Sequence, residues 1–427
     1  MDVQRIRKDF PILKSRISGK QLVYLDNAAT SQVPRQVIET IHTYLSTYNS
    51  NIHRSTHTLG QRATGLYEQA HGKVAHFIGA ENEREIIFLR NTTEGINLVA
   101  YSLLSGVSDH LKLVHGDEVV ITLMEHHSNL VPWQIAQNKG IVLKFVGVME
   151  DGTLDMDELK ESITGRTKLV CCTHVSNVLG TINPVREIAQ CAHSVGALFL
   201  VDGAQSVPHL PVSVKEIDCD FMTFSGHKML APTGIGALYG KQRILDELAP
   251  FLYGGDMIEN VTLRGASWRG TPWKFEAGTP NICGAIALGG ALERESGQRL
   301  EGAIDYLERL GMEKVREHEK QLTEHVLKGL QLIPEVTVYG PLGAEQRCGL
   351  VTFNVDIGNG VVDAHVIAQF LNEEGIALRA GRHCAYPLVE RLGLADALRV
   401  SFYIYNTIEE VDCFLELLRN IILYKLL

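Results

Sequence analysis

The chain has 427 residues, too many for one compact core, so a large domain with a smaller companion is expected. Its 45% hydrophobic and 21% charged content suits a globular protein, and 50 acidic against 40 basic residues give a formal net charge of −10, which argues against nucleic acid as a partner. No stretch of 18 apolar residues offers a membrane span, and eight cysteines without a C-x-x-C unit speak against zinc knuckles and redox pairs and for a reducing compartment.

The opening residues, MDVQRIRKDFPILKSRISGK, carry charges throughout, so no secretory signal is expected; they read as a short helix and a turn. LVYLDNAAT follows as a strand running into a small-residue turn, and 34–79 reads mostly as helix. Seven strand-like runs come next: EIIFL (85–89), DEVVITL (117–123), IVLKFVGV (141–148), TKLVCCTHVS (167–176), ALFLVD (197–202), DFMTFS (220–225) and GIGALYG (234–240). Helical segments separate most of them, among them NTTEGINLVAYSLL and one near 184–195. Near-continuous apolar strands between helices predict an α/β fold with a mostly parallel seven-stranded sheet covered on both faces. After about residue 300 the pattern predicts one long helix over 306–333. Strands VTVYG and LVTFNV, helix AHVIAQFLNEEG and strands IALRAG and ALRVSFYIY follow, ending in a helix that packs on the core. The expected division is a large domain over 21–296 and a small α+β domain from 1–20 with 297–427.

Ligands of open parallel sheets bind beyond the carboxyl ends of the strands, so the polar residues there carry the functional reading. Thr92, Thr93 and Glu94 open a helix after EIIFL, where free N–H groups suit an anion, or a threonine simply caps the helix. His126 and His127 follow DEVVITL; strand geometry sends neighbours to opposite sides, which disfavours a shared metal and leaves a stacking ring or a packed histidine. Asp202, with Gln205 nearby, follows ALFLVD and either binds a ligand or makes a turn. Lys228 follows DFMTFS with Ser225 and His227 beside it. It is a surface lysine, or a desolvated amine able to condense with an aldehyde. No P-loop or dinucleotide fingerprint is present. Taken together, an anion site, a stacking ring, an acid and an amine match a ligand with a phosphate, a flat basic ring and an aldehyde, and pyridoxal 5′-phosphate has all of these.

At this point the sequence resembles a known family nearly end to end. YLDNAAT, IHRSTHTLG, TTEGINLVA, MEHHSNLVPW, THVSNVLGT, VDGAQSV, DFMTFSGHKMLAPTGIGALYG, FLYGGDMI, FEAGTPN and RAGRHCAYPL stand in the order seen in group II cysteine desulfurases of the SufS type. These are fold-type I pyridoxal-phosphate enzymes with selenocysteine lyases as close relatives. The resemblance implies that Lys228 bonds the cofactor aldehyde, Asp202 faces the pyridine nitrogen, Gln205 faces the ring hydroxyl and His126 stacks on the ring. It implies that Thr93, Ser225 and His227 hold the phosphate and that Thr279 completes that site from a second subunit, hence a homodimer. Asn177 and Arg379 are implied near the substrate, and Arg399 at its carboxylate.

Cys384 sits in a loop-like stretch, RAGRHCAYPL, where Arg379, Arg382 and His383 are expected to favour thiolate. The other seven cysteines lie mostly in apolar runs or helices and read as small core residues. The family's activity would make Cys384 and Lys228 catalytic, with His126 as proton carrier: L-cysteine becomes L-alanine, a persulfide forms on Cys384, and sulfur goes to iron–sulfur cluster assembly. Selenocysteine lyase, aminotransferase and non-catalytic cofactor-binding protein are the alternatives on the same fold. The sequence departs from many relatives at Arg382 and Tyr386, which flank Cys384. His365, 19 residues before Cys384, matches relatives that pass sulfur to a small zinc-binding, scaffold-like acceptor, or is a surface histidine at a helix start; no metal site of the chain's own is expected. The expected location is the cytoplasm, and an organellar mature form fits equally.

Overall fold

The computed structural model describes every residue except 106, 107, 109, 291, 294–296, 298, 359 and 427. A seven-stranded sheet forms its centre from β1 (Ile86–Leu89), β2 (Glu118–Thr122), β3 (Val142–Val146), β4 (Thr167–Thr173), β5 (Leu198–Asp202), β6 (Phe221–Ser225) and β7 (Gly236–Gly240). Their spatial order is β1-β7-β6-β5-β4-β2-β3. Strands β3, β2, β4, β5 and β6 pair in parallel, and β7 runs antiparallel to β6 and β1. The link 226–235 explains β7: it is shorter than the dozen or so residues that a parallel crossover needs.

Alternation along the strands feeds two cores. On β4, Leu169 and Cys171 join one face with Ile96, Val99 and Leu103 of the helix Thr92–Ser105, while Val170 and Cys172 join the opposite face with Ala63, Tyr67 and Val74 of Thr58–Phe77. Edge strand β3 departs from the expected burial: it pairs with β2 alone, and Val142 and Phe145 are exposed.

The second unit is an antiparallel sheet of β8 (Val336–Tyr339), β9 (Leu350–Val355), β10 (Arg379–Gly381) and β11 (Ala397–Ser401), in the order β8-β9-β11-β10. The terminal helix Ile408–Ile421 packs on it, as expected, through Val411, Phe414, Leu415, Leu418 and Ile421, with Phe414 edge-on to Phe353. Thr407 and Glu410 close its first turn reciprocally, hydroxyl to amide and carboxylate to amide. The single helix expected over 306–333 is instead two, Ala303–Leu310 and Met312–Gln331. Gly311 between them has φ 83°, ψ 123°, a conformation outside any helix.

We propose the two-part division 21–296 against 1–20 with 297–427, residue 296 lying outside the described residues. The cores cross it in both directions: Ile6, Phe10 and Leu13, and with them Ala303, Ile304, Leu307, Val315 and Tyr403, pack in the large core, while Val23 and Leu25 join the small one. Val23–Tyr24 pairs in parallel with Ile376–Ala377, so residues 26–29 run along the seam between the units. Among the described residues, no helix is long and apolar enough to cross a membrane.

Candidate active site

A cavity of about 330 Å³ opens at the carboxyl ends of β1, β2, β4, β5 and β6, and the small unit closes one side of it. Thr93, His126, Asn177, Asp202, Gln205, Ser225, His227, Lys228, Arg379, Cys384 and Arg399 all line it. The two residues expected to serve a second subunit and an acceptor protein do not line it. Thr279 is exposed and borders a separate cavity, and His365 is exposed in the first turn of the helix Ala364–Glu373.

One end of the cavity gathers hydroxyls at a helix start. Thr92 N–H donates to Ser225 Oγ at 2.9 Å, and Thr92 Oγ1 lies 2.8 Å from the same oxygen. Thr93 Oγ1 lies 2.6 Å from Ser128 Oγ, which is 2.9 Å from His126 Nδ1. With the positive end of the helix Thr92–Ser105 this forms an anion cradle. Ser128 also donates its N–H to His126 Nδ1, so Nε2 carries the imidazole proton. Burial and then the Lys228 charge pull His126 down to about 4, and the same two causes bring His227 to about 4; both rings are neutral at pH 7.

Lys228 stands in a single turn, Gly226–Lys228, pressed against the strand that follows. A Cβ on Gly226 would stand 2.9 Å from Ile235 Cγ2, so only glycine lets the chain turn there. Burial, opposed by Asp202, lowers the Lys228 amine to about 8. Asp202 is buried and accepts the Ala204 N–H at 2.9 Å; burial raises its pKa, against that bond and the Lys228 charge. Gln205 donates to Ala28 O at 2.7 Å and keeps a buried Oε1 without a partner.

Arg399 is buried. Its Nη1 donates to Asn177 O at 2.8 Å, Nη2 lies 3.5 Å from Asp26, and Nε has no partner. Burial lowers it to about 10, which leaves it charged at neutral pH. Arg379 grips Asp26 with two nitrogens at 2.8–3.1 Å. Asp26 thus aims both guanidiniums. It was missed in the sequence although an acid directly after a strand, in YLDNAAT, was a usable signal. Ser128, two residues after His126, was missed as well.

Cys384 is exposed at the cavity, and its neighbours correct one expectation. His383 is buried, donates from Nε2 to Ala397 O at 3.1 Å, and is held at about 2 by burial and then by Arg399, so it is neutral. Arg382 turns away to Ala395 O. The positive charges acting on Cys384 are Arg379, Arg399 and Lys228. Cys171, Cys172, Cys219 and Cys348 are buried as core residues, whereas Cys413 is exposed.

The residues present fit a phosphorylated pyridine aldehyde: hydroxyls and helix N–H groups at one end, an imidazole beside the cavity, a buried acid, an amine of lowered pKa, and the unpartnered Gln205 Oε1.

The aminotransferase class-V family matches residues 23–414. A cysteine desulfurase of Haloferax volcanii is 50% identical over 426 residues, covering 96% of this chain and 95% of its own. The apo cysteine desulfurase of Thermococcus onnurineus superposes with a TM-score of 0.88 at 40% identity, covering 98% and 97% of the two chains. The cysteine desulfurase CsdA of Escherichia coli, in S-sulfonic acid form, superposes with a TM-score of 0.86 at 35% identity, covering 99% and 98%.

Proposed function

The chain belongs to the aminotransferase class-V family and is a pyridoxal-phosphate-dependent cysteine desulfurase, and from that premise we propose how its own residues carry the reaction. One observation supports the reading most: Lys228, Asp202, Arg399 and Cys384 open onto a single cavity. Bound there, pyridoxal 5′-phosphate supplies an aldehyde for amine condensation and a ring that draws electrons from the attached carbon.

Thr93, Ser225 and His227 would hold the phosphate, and His126 would stack on the ring. Asp202 would face the ring nitrogen and, as carboxylate, hold it protonated, and Gln205 Oε1 would meet the ring hydroxyl. Arg399, charged and with Nε free, binds the carboxylate of L-cysteine, while Arg379 and Asn177 border the substrate. Lys228 Nζ, with its pKa brought close to working pH, moves the proton at the substrate's α-carbon.

Cys384 Sγ, as thiolate, attacks the substrate sulfur. A sulfur–sulfur bond forms, the carbon–sulfur bond breaks with its electron pair going to carbon, and protonation gives L-alanine and a persulfide on Cys384. His126, protonated at Nε2, can serve the sulfur step from that atom only as a proton donor. An aminotransferase needs no such thiol, and its place at the cavity favours the desulfurase chemistry. Wild-type enzyme is expected to convert L-cysteine to alanine under reductant. Cys384→Ser should keep the bound-cofactor absorbance and lose alanine formation by about a hundredfold or more. Wild-type turnover by Cys384→Ser would falsify the role of the thiol.

The sulfur goes on to iron–sulfur cluster assembly through an acceptor protein in the cytoplasm, and the enzyme works as a homodimer in which Thr279 completes the partner's phosphate site. His365 supports a zinc-binding acceptor: it is exposed, with its ring edge 3.8 Å from where a Cβ on Gly381 would stand, three residues before Cys384. His365→Ala should leave basal alanine formation intact and abolish stimulation by a zinc-loaded acceptor. Undiminished stimulation would rule this contact out.

A further inference from the structure

Residues His383 and Cys384 have φ 49° and 55°, two consecutive left-handed conformations at residues that carry side chains. Such backbone is strained and persists only where neighbours hold it. The holding groups come from the large unit. Asn177 Nδ2 donates to His383 O at 2.8 Å, and the His127 N–H donates to Cys384 O at 2.8 Å. On the far side of the cysteine, Tyr386 N–H donates into the His127 ring at Nε2, at 3.1 Å. The His127 ring also meets the Tyr386 ring edge-on, 4.7 Å between centroids, and the Arg382 guanidinium lies over the Tyr386 ring at 5.1 Å.

We propose that His127 is a positioning residue that clamps the Cys384 loop at the cysteine's own carbonyl and at the Tyr386 amide, and so fixes where Sγ points. The inference rests on Cys384 being the sulfur-accepting residue. An amide N–H can only donate, so Nε2 of His127 must carry a lone pair and Nδ1 the proton. Burial lowers this imidazole below its usual 6.5, in keeping with a neutral ring.

The dipeptide therefore divides its work. His126 lines the cavity, and His127 turns to the loop that delivers the thiol. A rigid link joins the place where the substrate sulfur is held to the place from which it is attacked. Displacing a reacting atom by about 1 Å costs about a hundredfold in rate, which sets the scale of the effect.

The test uses the cofactor-loaded enzyme and two variants. His127→Phe keeps a ring against Tyr386 and removes the acceptor; His127→Gln keeps an acceptor at similar reach. His127→Phe should keep its cofactor absorbance and a near-normal KM for cysteine, lose about tenfold to a hundredfold in kcat, and be cut faster by trypsin after Arg382. His127→Gln should recover most of the rate and the protease resistance. Amide exchange on the wild-type enzyme needs no variant: Tyr386 N–H should exchange slowly although the residue itself is exposed.

Wild-type kcat and trypsin resistance in His127→Phe, equal damage in Phe and Gln variants, or fast exchange at Tyr386 would each overturn the clamp. If wild-type enzyme never gains sulfur at Cys384, the proposed chemistry fails instead, while proteolysis and exchange still judge the clamp.

Discussion

Lys228 follows a strand whose five residues are all buried, and it faces an acid, a guanidinium and a thiol across one cavity. Burial, against the opposing pull of Asp202 and with a smaller push from Arg399, brings this amine down to about 8. The sign follows from the charge: below about 8 the proton occupies the nitrogen lone pair, and above it the amine is free. Uptake of pyridoxal phosphate by the cofactor-free chain should therefore speed up about tenfold per pH unit below 8 and level off above it. Absorbance of the bound cofactor followed by rapid mixing measures this, and a rate flat in pH would count against a lowered amine. The places of Lys228, Asp202 and Cys384 at the cavity were legible because each stands at a strand end or in a loop beside polar neighbours. Asp26 stands after a strand as well, but its partners were not legible: it aims two arginines that lie more than 350 positions away in the chain.

Elements were legible where apolar runs were long and bounded by turns, which is why all seven central strands stand close to their expected places. Direction was not: the antiparallel course of β7 follows from the length of one connection rather than from its own residues. The helix broken at Gly311 shows a similar limit. Helical periodicity continues through the glycine, and only backbone conformation reveals that the chain leaves the helix there. Gly311→Ala forces a side chain into a backbone region open essentially to glycine and should cost about 1–3 kcal/mol. Urea unfolding of the loaded enzyme measures the loss, and an unchanged midpoint would mean that the two helices can re-form as one.

At the scale of the molecule, the site lies on a seam. Residues 26–29, the strand ends of the large unit and the Cys384 loop meet there, and Arg399 reaches across from β11 to Asn177. Further from the cavity, the buried pair His209–Glu319 at 2.8 Å joins the segment after Asp202 to the helix Met312–Gln331. Such long-range pairings leave no periodic trace, so the motif order across the whole chain carried more of the site than any single motif did. Thr279 stands exposed and borders a cavity of this chain other than the active-site cavity, in keeping with a part in a second subunit's site. Light scattering should give twice the 47.3 kDa chain mass, and a monomer with full cofactor affinity would remove the partner's role.

The most direct measurement is on Cys384 itself. Cofactor-loaded enzyme is mixed with one equivalent of L-cysteine without reductant, quenched by alkylation, digested and weighed peptide by peptide. The account predicts one extra sulfur on the peptide carrying Cys384, in step with the alanine released, and none on the peptides of the other seven cysteines. Alanine released while that peptide gains no sulfur would contradict it.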